Sequence, residues 1–370
     1  MPLGTLSRTT TIDTILTFAI GIAGGALFQL AHLPLAWMLG PLVGVAGAGL
    51  AGFRTRVPRP SRQYGQAIAG VAVGLYFTPA LAAVLLPDLP AIALVSLLSI
   101  LFSGVVSWCI ARATGIDGTT SFFASLPGGV AEMSVLAERH GGDTAIVALT
   151  QSLRIVIVVL TIPSLVVLLG RPGTSDWTAT ATALHVPALA GMLVAAGLIA
   201  LLLGRWRIPN NWLLGGLVIG AATAFFRLPL SGVPTVVAEF SQLLIGTALG
   251  ARFTADTVHK LRRFIPASIA STLVILLFNA LLSLILTWFM PDGLETLVLA
   301  NAPGGVAETS LTAKALHLGV ATVTAFHLVR ILFIVLLSAP FYRLLRRLGL
   351  LSPARTGAAF GTIAPTQPAA

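Results

Sequence analysis

The sequence predicts an all-α membrane protein made of two inverted repeats, each with about five spanning helices of roughly 20 residues. Of its 370 residues, 56% are hydrophobic and 9% are charged, whereas soluble domains carry about 25% charged residues. The apolar runs are continuous rather than alternating, which favours helices over a β-barrel. A Pro-Gly-Gly stretch occurs twice, once in each half of the chain. Together these observations indicate a duplicated bundle of membrane helices with an interrupted segment in each copy.

Twelve apolar segments follow one another, six in each half. The first repeat is predicted over 12–169 and the second over 184–345. A disordered cytoplasmic tail is predicted over 346–370, because small residues and proline dominate there. The predicted segments are 12–31, 35–53, 64–86, 90–111, 119–137 and 144–169, then 184–203, 212–226, 233–250, 266–289, 295–316 and 320–342.

The second half of the chain repeats residues of the first at a nearly constant offset. Pro127 and Pro303 are 176 residues apart, as are Arg154 and Arg330. Earlier in each half the offset is 175 or 176, and the matched residues are Pro34, Trp37, Leu39 and Gly40 with Pro209, Trp212, Leu214 and Gly215, then Gln66, Gly70 and Gly74 with Gln242, Gly246 and Gly250. The chain is therefore an internal duplication.

The loop charges predict how the segments cross the membrane. Basic residues cluster in 52–63 and 251–265, which places these loops in the cytoplasm, whereas acidic residues place 87–89 and 290–295 outside. These positions agree only if each Pro-Gly-Gly segment enters and leaves on the same side. Five crossings per half then invert the second repeat. We expect a multi-pass protein of the plasma (inner) membrane with both termini in the cytoplasm.

Each Pro-Gly-Gly stretch is predicted to break its segment, because proline removes a backbone donor and glycine is unfavourable within a helix. The break exposes backbone amides at the start of the next half-helix, where the positive end of the dipole favours an anion. The alternative is a tight turn that only closes a re-entrant loop. The candidate substrate-binding residues here are Gly128, Gly129, Gly304, Gly305, Ser134 and Ser310.

Glu132 and Glu308 are the acidic residues placed deepest by the predicted topology. A carboxylate at membrane depth costs roughly 2.5–3.5 kcal/mol on insertion scales. It must therefore be paired, protonated or bound to a cation. One hypothesis is that both residues couple transport to H⁺ or Na⁺. The other is a structural ion pair with Arg154 and Arg330.

Arg154 and Arg330 are the first choice for substrate contact. Each lies ten residues into its predicted segment, which is about 15 Å along a helix. A planar guanidinium makes two parallel hydrogen bonds to a carboxylate or phosphate. Further candidates are Gln151, His327 and Asn301.

Other functional classes are disfavoured. The net charge of +10 comes from basic residues in short loops, so no direct nucleic-acid binding is expected. Cys109 is the only cysteine, and the six histidines lack paired spacing, which leaves no predicted disulfide or metal site. We expect no cofactor and no enzymatic activity.

The doubled stretch, Leu126–Ser134 and Ala302–Ser310, resembles the AbrB-like duplication family of bacterial membrane proteins. The resemblance covers roughly 15–345. That family has been labelled a regulator or associated with ammonia monooxygenase. Its inverted halves are similar to those of cation/proton antiporters and anion transporters. Its label thus implies regulation, whereas its architecture implies transport.

The sequence predicts a secondary transporter for a small anionic solute, coupled to H⁺ or Na⁺. The alternative is a membrane-embedded regulator or sensor that affects gene expression through a partner, and a channel is a third hypothesis. The expected partners are the solute or ion and the lipid bilayer. A homo-oligomer is compatible with the sequence.

Overall fold

Within the residues that the structure describes, all regular secondary structure is helical. The structure is a computed structural model that describes residues 8–33, 35–168, 184–206, 208, 210–228 and 230–351. Six of the described helices are long and apolar enough to cross a membrane. The prediction of a helical membrane-spanning protein is therefore confirmed.

The helices of the two halves follow the same order. In the first half they are Arg8–Leu30 (α1), Ala36–Leu50 (α2), Arg59–Gly74 (α3), Pro79–Thr114 (α4), Gly118–Ser125 (α5), Val130–Arg139 (α6) and Thr144–Leu168 (α7). In the second half they are Val186–Arg205 (α8), Asn211–Phe225 (α9), Thr235–Gly250 (α10), Ala255–Leu261 (α11), Ile265–Leu286 (α12), Leu294–Asn301 (α13), Val306–Ala315 (α14) and Val320–Arg347 (α15).

Several helices of the second half begin and end 176 residues after their counterparts. This holds for α3 and α10, α5 and α13, and α6 and α14. In both halves the helix stops just before the Pro-Gly-Gly stretch and a new helix starts after it. α15 ends at Arg347, two residues into the predicted tail. The part of the tail over 352–370 lies outside the described residues.

One predicted loop is wrong. The stretch 87–89, predicted to connect two segments, lies within α4, and the break occurs instead at 75–78. α4 passes through Pro87 and Pro90 without ending. In the second half the matching stretch is divided by a short 3₁₀ turn, Arg262–Phe264, between α11 and α12. Proline removes single backbone donors, and a helix in apolar surroundings tolerates this when its other hydrogen bonds remain.

The helices form two groups. The first consists of α1–α3 and α8–α10, which pack closely through glycines. A Cβ atom on Gly70 would overlap the carbonyl oxygen of Leu213, and one on Gly246 would overlap that of Met38. Small residues of this kind let helix backbones approach each other in membranes. The second group contains the remaining helices, α4–α7 and α11–α15.

Two helical hairpins belong to the second group. In the first hairpin, α5–α6, the backbone N–H of Asp143 donates to Thr120 Oγ1 at 2.7 Å. In the second, α13–α14, the backbone N–H of Gly319 donates to Thr296 Oγ1 at 3.2 Å. These bonds join the start of one short helix to the end of the other. Each hairpin therefore enters and leaves the fold on one side.

The bases of the two hairpins contact opposite ends of α15. At its C-terminal end, Tyr342 OH lies 2.8 Å from Thr119 Oγ1 of the first hairpin. At its N-terminal end, Thr322 Oγ1 donates to Asp292 Oδ1, just before the second hairpin, at 3.1 Å. Because α15 is a single helix of 28 residues, the hairpins enter from its two ends and their tips meet between them.

Candidate functional site

A cavity of about 740 Å³ lies where the tips of both hairpins meet the first helix group. One wall is formed by the turns before α6 and α14, including Gly128, Gly129, Gly304 and Gly305. The opposite wall comes from the start of α3, the start of α9 and the end of α10. The structure thus brings both Pro-Gly-Gly stretches to one central site.

The cavity has an excess of positive charge. Its charged lining residues are six arginines and two glutamates, which leaves four unbalanced positive charges. They are Arg56, Arg59, Arg62, Arg154, Arg252 and Arg330 with Glu132 and Glu308. Such a field favours an anion.

The guanidinium of Arg330 binds the carbonyl end of α13. Its Nη1 donates to the carbonyls of Asn301 and Ala302 at 3.4 and 2.8 Å. Its Nη2 donates to the Gly304 carbonyl at 3.1 Å. The last carbonyls of a helix have no partner within that helix and form the negative end of its dipole. Arg330 therefore caps the first half of the second hairpin.

Arg154 does the same for α5. It donates to the carbonyls of Ser125, Leu126 and Gly128 at 3.3, 3.1 and 3.3 Å, which are the repeat counterparts of the Arg330 acceptors. Its Nε also donates to the Pro303 carbonyl at 3.1 Å, and so joins the two hairpin tips. Substrate contact by the two arginines stays a prediction, and sequence reasoning missed their role as caps.

Gln151 and His327 occupy equivalent positions one turn before these arginines but bind differently. Gln151 Nε2 donates to the carbonyls of Phe123 and Leu126 at 2.8 and 2.9 Å, and its Oε1 accepts from Arg154. His327 Nδ1 donates to a carbonyl of its own helix, and its Nε2 lies 2.9 Å from Thr309 Oγ1. Both side chains are buried behind the hairpin tips rather than in the cavity lining.

Glu308 lies at the third position of α14 and folds back over Gly305. Its side chain is 2% exposed, and among the described residues its Oε1 has no hydrogen-bond partner. Arg62 Nη2 is 3.9 Å from that oxygen. The hypothesis of an ion pair with Arg154 or Arg330 is therefore wrong for Glu308, because those guanidiniums bind carbonyls and Arg62 is the salt-bridge partner.

Glu132 is the repeat counterpart of Glu308 and folds over Gly129 in the same way. Unlike Glu308, it is partly exposed. No described residue forms a salt bridge with it. The two glutamates therefore have equivalent positions but different surroundings.

Three other predicted site residues do not line the cavity. Ser134 Oγ donates to the Val130 carbonyl of its own helix at 2.7 Å. Ser310 Oγ is 2.9 Å from Thr324 Oγ1 on α15. Asn301 Nδ2 donates to Ser283 Oγ at 2.9 Å. The contacts of Ser310 and Asn301 hold the second hairpin against α15 and α12, whereas the Ser134 bond stays within α6.

Arg62 and Arg252 are the residues that sequence reasoning missed. Arg62 lies in the first turn of α3, and Arg252 directly follows α10 and donates to Ser152 Oγ at 3.3 Å. Burial and the nearby Arg62 lower the pKa of Arg252 to about 10, so it remains protonated near neutral pH. Aligning α3 with α10 would have placed Arg62 within a helix rather than in a loop.

Residues 37–346 match the sequence model of a family described as "Transition state regulatory protein AbrB". The chain belongs to the AbrB family. It is 29% identical over 356 residues to "Uncharacterized protein YhjN" of Bacillus subtilis, covering 89% of this chain and 92% of that protein. It is 28% identical over 320 residues to "Putative regulator AbrB" of Escherichia coli, covering 85% and 90% of the two chains. The predicted resemblance is therefore confirmed.

In this AbrB-family chain the two hairpins are covered to different degrees. The second-hairpin helix α14 is buried from Val306 to Ala313 and packs against α3 and α10. In α6, the counterpart in the first hairpin, Met133 and Ala137 are the buried residues among the described side chains. Leu311 is fully buried, whereas its counterpart Val135 is 45% exposed. Two equivalent elements thus occupy unequal environments.

Within the described ranges, no three His, Cys, Asp or Glu side chains come together as metal ligands would. The polar groups of the site are instead guanidiniums, backbone amides and two carboxylates. Groups of these kinds are chemically suited to bind and orient an anion.

Proposed function

We propose that this protein is a secondary active transporter of a small anionic solute, coupled to H⁺ or Na⁺. The observation that carries the proposal is the pair of repeat-related hairpins whose tips meet at one central cavity, with one hairpin buried and the other open. Transporters with inverted repeats have their site at the repeat interface, where interrupted helices present backbone and dipole ends to the substrate.

The contacts of α15 support an inverted arrangement of the halves. The base of the first hairpin lies at one end of this helix and that of the second hairpin at the other. The cavity is lined by residues 55–58 and 251–252, which belong to the two basic loops assigned to the cytoplasm. We therefore propose a plasma-membrane protein with cytoplasmic termini and a cavity open to the cytoplasm.

The unequal burial of the hairpins supports alternating access. If the two halves exchange their conformations, α6 becomes buried and α14 becomes exposed. The cavity then opens to the other side of the membrane. Leu311 and Val135 are equivalent positions in the repeat, so Val135 would occupy the environment in which Leu311 is now buried. Such an exchange needs two arrangements of similar energy, which a duplicated chain provides.

The charge of the site supports an anion as the solute. Four positive charges are left unbalanced among the lining residues, and the α6 and α14 amides add the positive ends of two helix dipoles. Glu132 and Glu308 are the proposed carriers of the coupling ion. The proposal requires no nucleic acid, cofactor or chemical change of the solute, and it is compatible with a homo-oligomer.

The alternative function is a membrane-embedded regulator or sensor. It is favoured by the family description and by the name of the Escherichia coli relative. A sensor would bind a ligand and act through a partner without moving the ligand across the membrane. Flux therefore distinguishes the two proposals.

The test is uptake by the purified protein reconstituted in liposomes. Mono-, di- and tricarboxylates, amino acids and phosphate are offered with an H⁺ or Na⁺ gradient. We expect saturable uptake that depends on the gradient, and loss of that dependence in Glu132→Gln and Glu308→Gln. Arg205→Gln, outside the cavity, is the matched charge control. A folded preparation that moves none of these solutes would favour the regulator.

A further inference from the structure

Arg62 and Arg252 face the cavity without being used as helix caps. Arg62 is 30% exposed and its salt-bridge partner is Glu308. Arg252 is half-buried and donates a hydrogen bond to Ser152 Oγ. A guanidinium has five N–H donors, and partial burial makes unused donors unfavourable. Both side chains are therefore suited to an acceptor that enters the cavity.

The two arginines have no basic counterparts in the other repeat. Residues 176 positions away are Ala238 for Arg62 and Tyr76 for Arg252. Cytoplasmic arginines in general follow the positive-inside rule, but that rule concerns exposed loops. Arg252 lies partly buried against α7, and Arg62 is close enough to lower the pKa of Arg252. Glu308 and Glu132 are the acidic groups that act on Arg252, so an anionic ligand at the two guanidiniums would take the place of these carboxylates.

The size and walls of the cavity indicate an organic anion. Its volume of about 740 Å³ falls within the range of roughly 300–1,000 Å³ for sites that hold organic ligands. Apolar side chains line the cavity together with the charged groups, and they include Val57, Ile155, Trp212 and Ile331. A ligand with an apolar middle and charged ends matches this pattern.

We infer that the cavity binds a small dicarboxylate, that Arg62 and Arg252 pair with its two carboxylates, and that Glu308 competes with it for Arg62. The inference rests on the proposed function, because it names the solute class and the residues that hold it. The second observation is Glu308 itself, a carboxylate that is 2% exposed, lines the cavity and has an oxygen without a hydrogen-bond partner. It occupies the position that a substrate carboxylate would take at Arg62.

Displacement of Glu308 has a consequence for coupling. Of the other charged groups that line the cavity, Arg62 is its salt-bridge partner; these groups are Arg56, Arg59, Arg62, Arg154, Arg252, Arg330 and Glu132. A substrate carboxylate that takes this partner leaves Glu308 as an uncompensated buried charge, which is unfavourable. Uptake of H⁺ or Na⁺ from solution at Glu308 neutralises it. Substrate binding and ion binding are thereby linked at one side chain.

The test is calorimetric titration of the purified protein with saturated dicarboxylates of four to six carbons. Butyrate is the matched monocarboxylate for succinate, and inorganic phosphate tests for a general anion site. We expect at least one dicarboxylate to bind about tenfold or more tightly than butyrate or phosphate. Arg62→Gln and Arg252→Gln should each weaken dicarboxylate binding about tenfold, because each loses a hydrogen bond between charged groups. Arg205→Gln should bind like the parent.

Glu308→Gln should bind the dicarboxylate several-fold more tightly than the parent, because the internal competitor is neutralised. Glu132→Gln, its repeat counterpart without a salt bridge, should change affinity less. Equal binding of mono- and dicarboxylates, no dicarboxylate binding, unchanged affinity in both arginine variants, or weaker binding in Glu308→Gln would overturn the inference. Dicarboxylate binding without uptake by liposomes would support the binding site but reject the transporter function. Uptake that is unchanged in the Arg62 and Arg252 variants would support the transporter function but reject this binding site.

Discussion

At the scale of single residues, the buried arginines show how a broken helix is stabilised inside a membrane. The carbonyls at the ends of α5 and α13 lie where water is scarce, and unsatisfied backbone groups there are unfavourable. Arg154 and Arg330 supply three carbonyls each with charged donors. One planar side chain thereby donates hydrogen bonds to backbone carbonyls that have no donor within a regular helix.

We predict that Arg330→Gln lowers the free energy of unfolding by about 2–4 kcal/mol, since hydrogen bonds from a charged donor to buried carbonyls are lost. Arg154→Gln should lower it further, because this residue also donates to the Pro303 carbonyl and to Gln151. Arg330→Lys should lie between the parent and Arg330→Gln, since an ammonium keeps the charge but lacks the planar fork. Thermal unfolding in detergent measures these differences.

Arg343→Gln is the control for this series. Arg343 is exposed on the same helix as Arg330, and within the described part of the chain it donates to the carbonyl of Ala339 one turn earlier. Its replacement should change stability by less than about 0.5 kcal/mol. If Arg330→Gln unfolds at the same temperature as Arg343→Gln, capping is not what Arg330 contributes.

At the scale of elements, close glycine contacts determine how α2, α3, α9 and α10 pack. Gly70 of α3 lies against the backbone of α9, and its counterpart Gly246 of α10 lies against that of α2. A backbone carbonyl cannot rotate aside as a side chain does. The close packing of the short helices in the first group therefore requires a glycine at each of these crossings.

We predict that Gly70→Ala and Gly246→Ala each destabilise the protein by roughly 1–3 kcal/mol, since the helices must move apart. The two losses should be similar because the contacts are repeat-related. Gly47→Ala is the matched control in α2, as nothing lies within 4 Å of the added Cβ. It should be neutral or stabilising by up to about 1 kcal/mol through helix propensity. Denaturation in detergent compares the three, and equal effects would contradict close packing at the crossings.

At the scale of the whole molecule, the two repeats have similar sequences but different conformations. Phe102 and Phe278, which are 176 residues apart, stack on each other at 3.8 Å where α4 meets α12. This contact joins equivalent residues of the two repeats. The two hairpins nevertheless differ in burial, as α6 and α14 show.

We predict that the membrane-embedded protein visits the mirrored conformation. Ala69, Ile245 and Leu311 share a buried cluster, and Ala69 and Ile245 are themselves repeat counterparts. In a Cys109→Ala background, Ala69→Cys with Leu311→Cys should form a disulfide on oxidation. The mirrored pair, Ile245→Cys with Val135→Cys, should also form one in the same membranes.

Each cross-link should stop flux in liposomes until it is reduced, because it holds one of the two conformations. Val194→Cys on α8, 65% exposed, paired with Val135→Cys is the control for random collision. If the mirrored pair never cross-links while the first pair does, the halves do not exchange conformations, and the protein does not work by alternating access.

The amino-acid sequence by itself determined the helical membrane class and the duplication. Both follow from local properties, since long apolar runs must satisfy their backbone within a helix and matched residues recur at a fixed offset. The breaks before α6 and α14 were also predicted, because proline and a glycine pair disfavour helix wherever they occur. The hairpins have these breaks at the expected residues.

Only the tertiary structure decided which groups meet. The sequence predicts that Arg154, Arg330, Glu132 and Glu308 lie deep in the membrane, but opposite charges at the same depth do not specify a pair. Carbonyls freed by each helix break lie closer to the arginines than any carboxylate does, and they bind the guanidiniums. Glu308 forms its salt bridge with Arg62, which is 246 positions earlier in the chain. Backbone acceptors are present at every residue, so only the folded path of the chain determines which of them an arginine reaches.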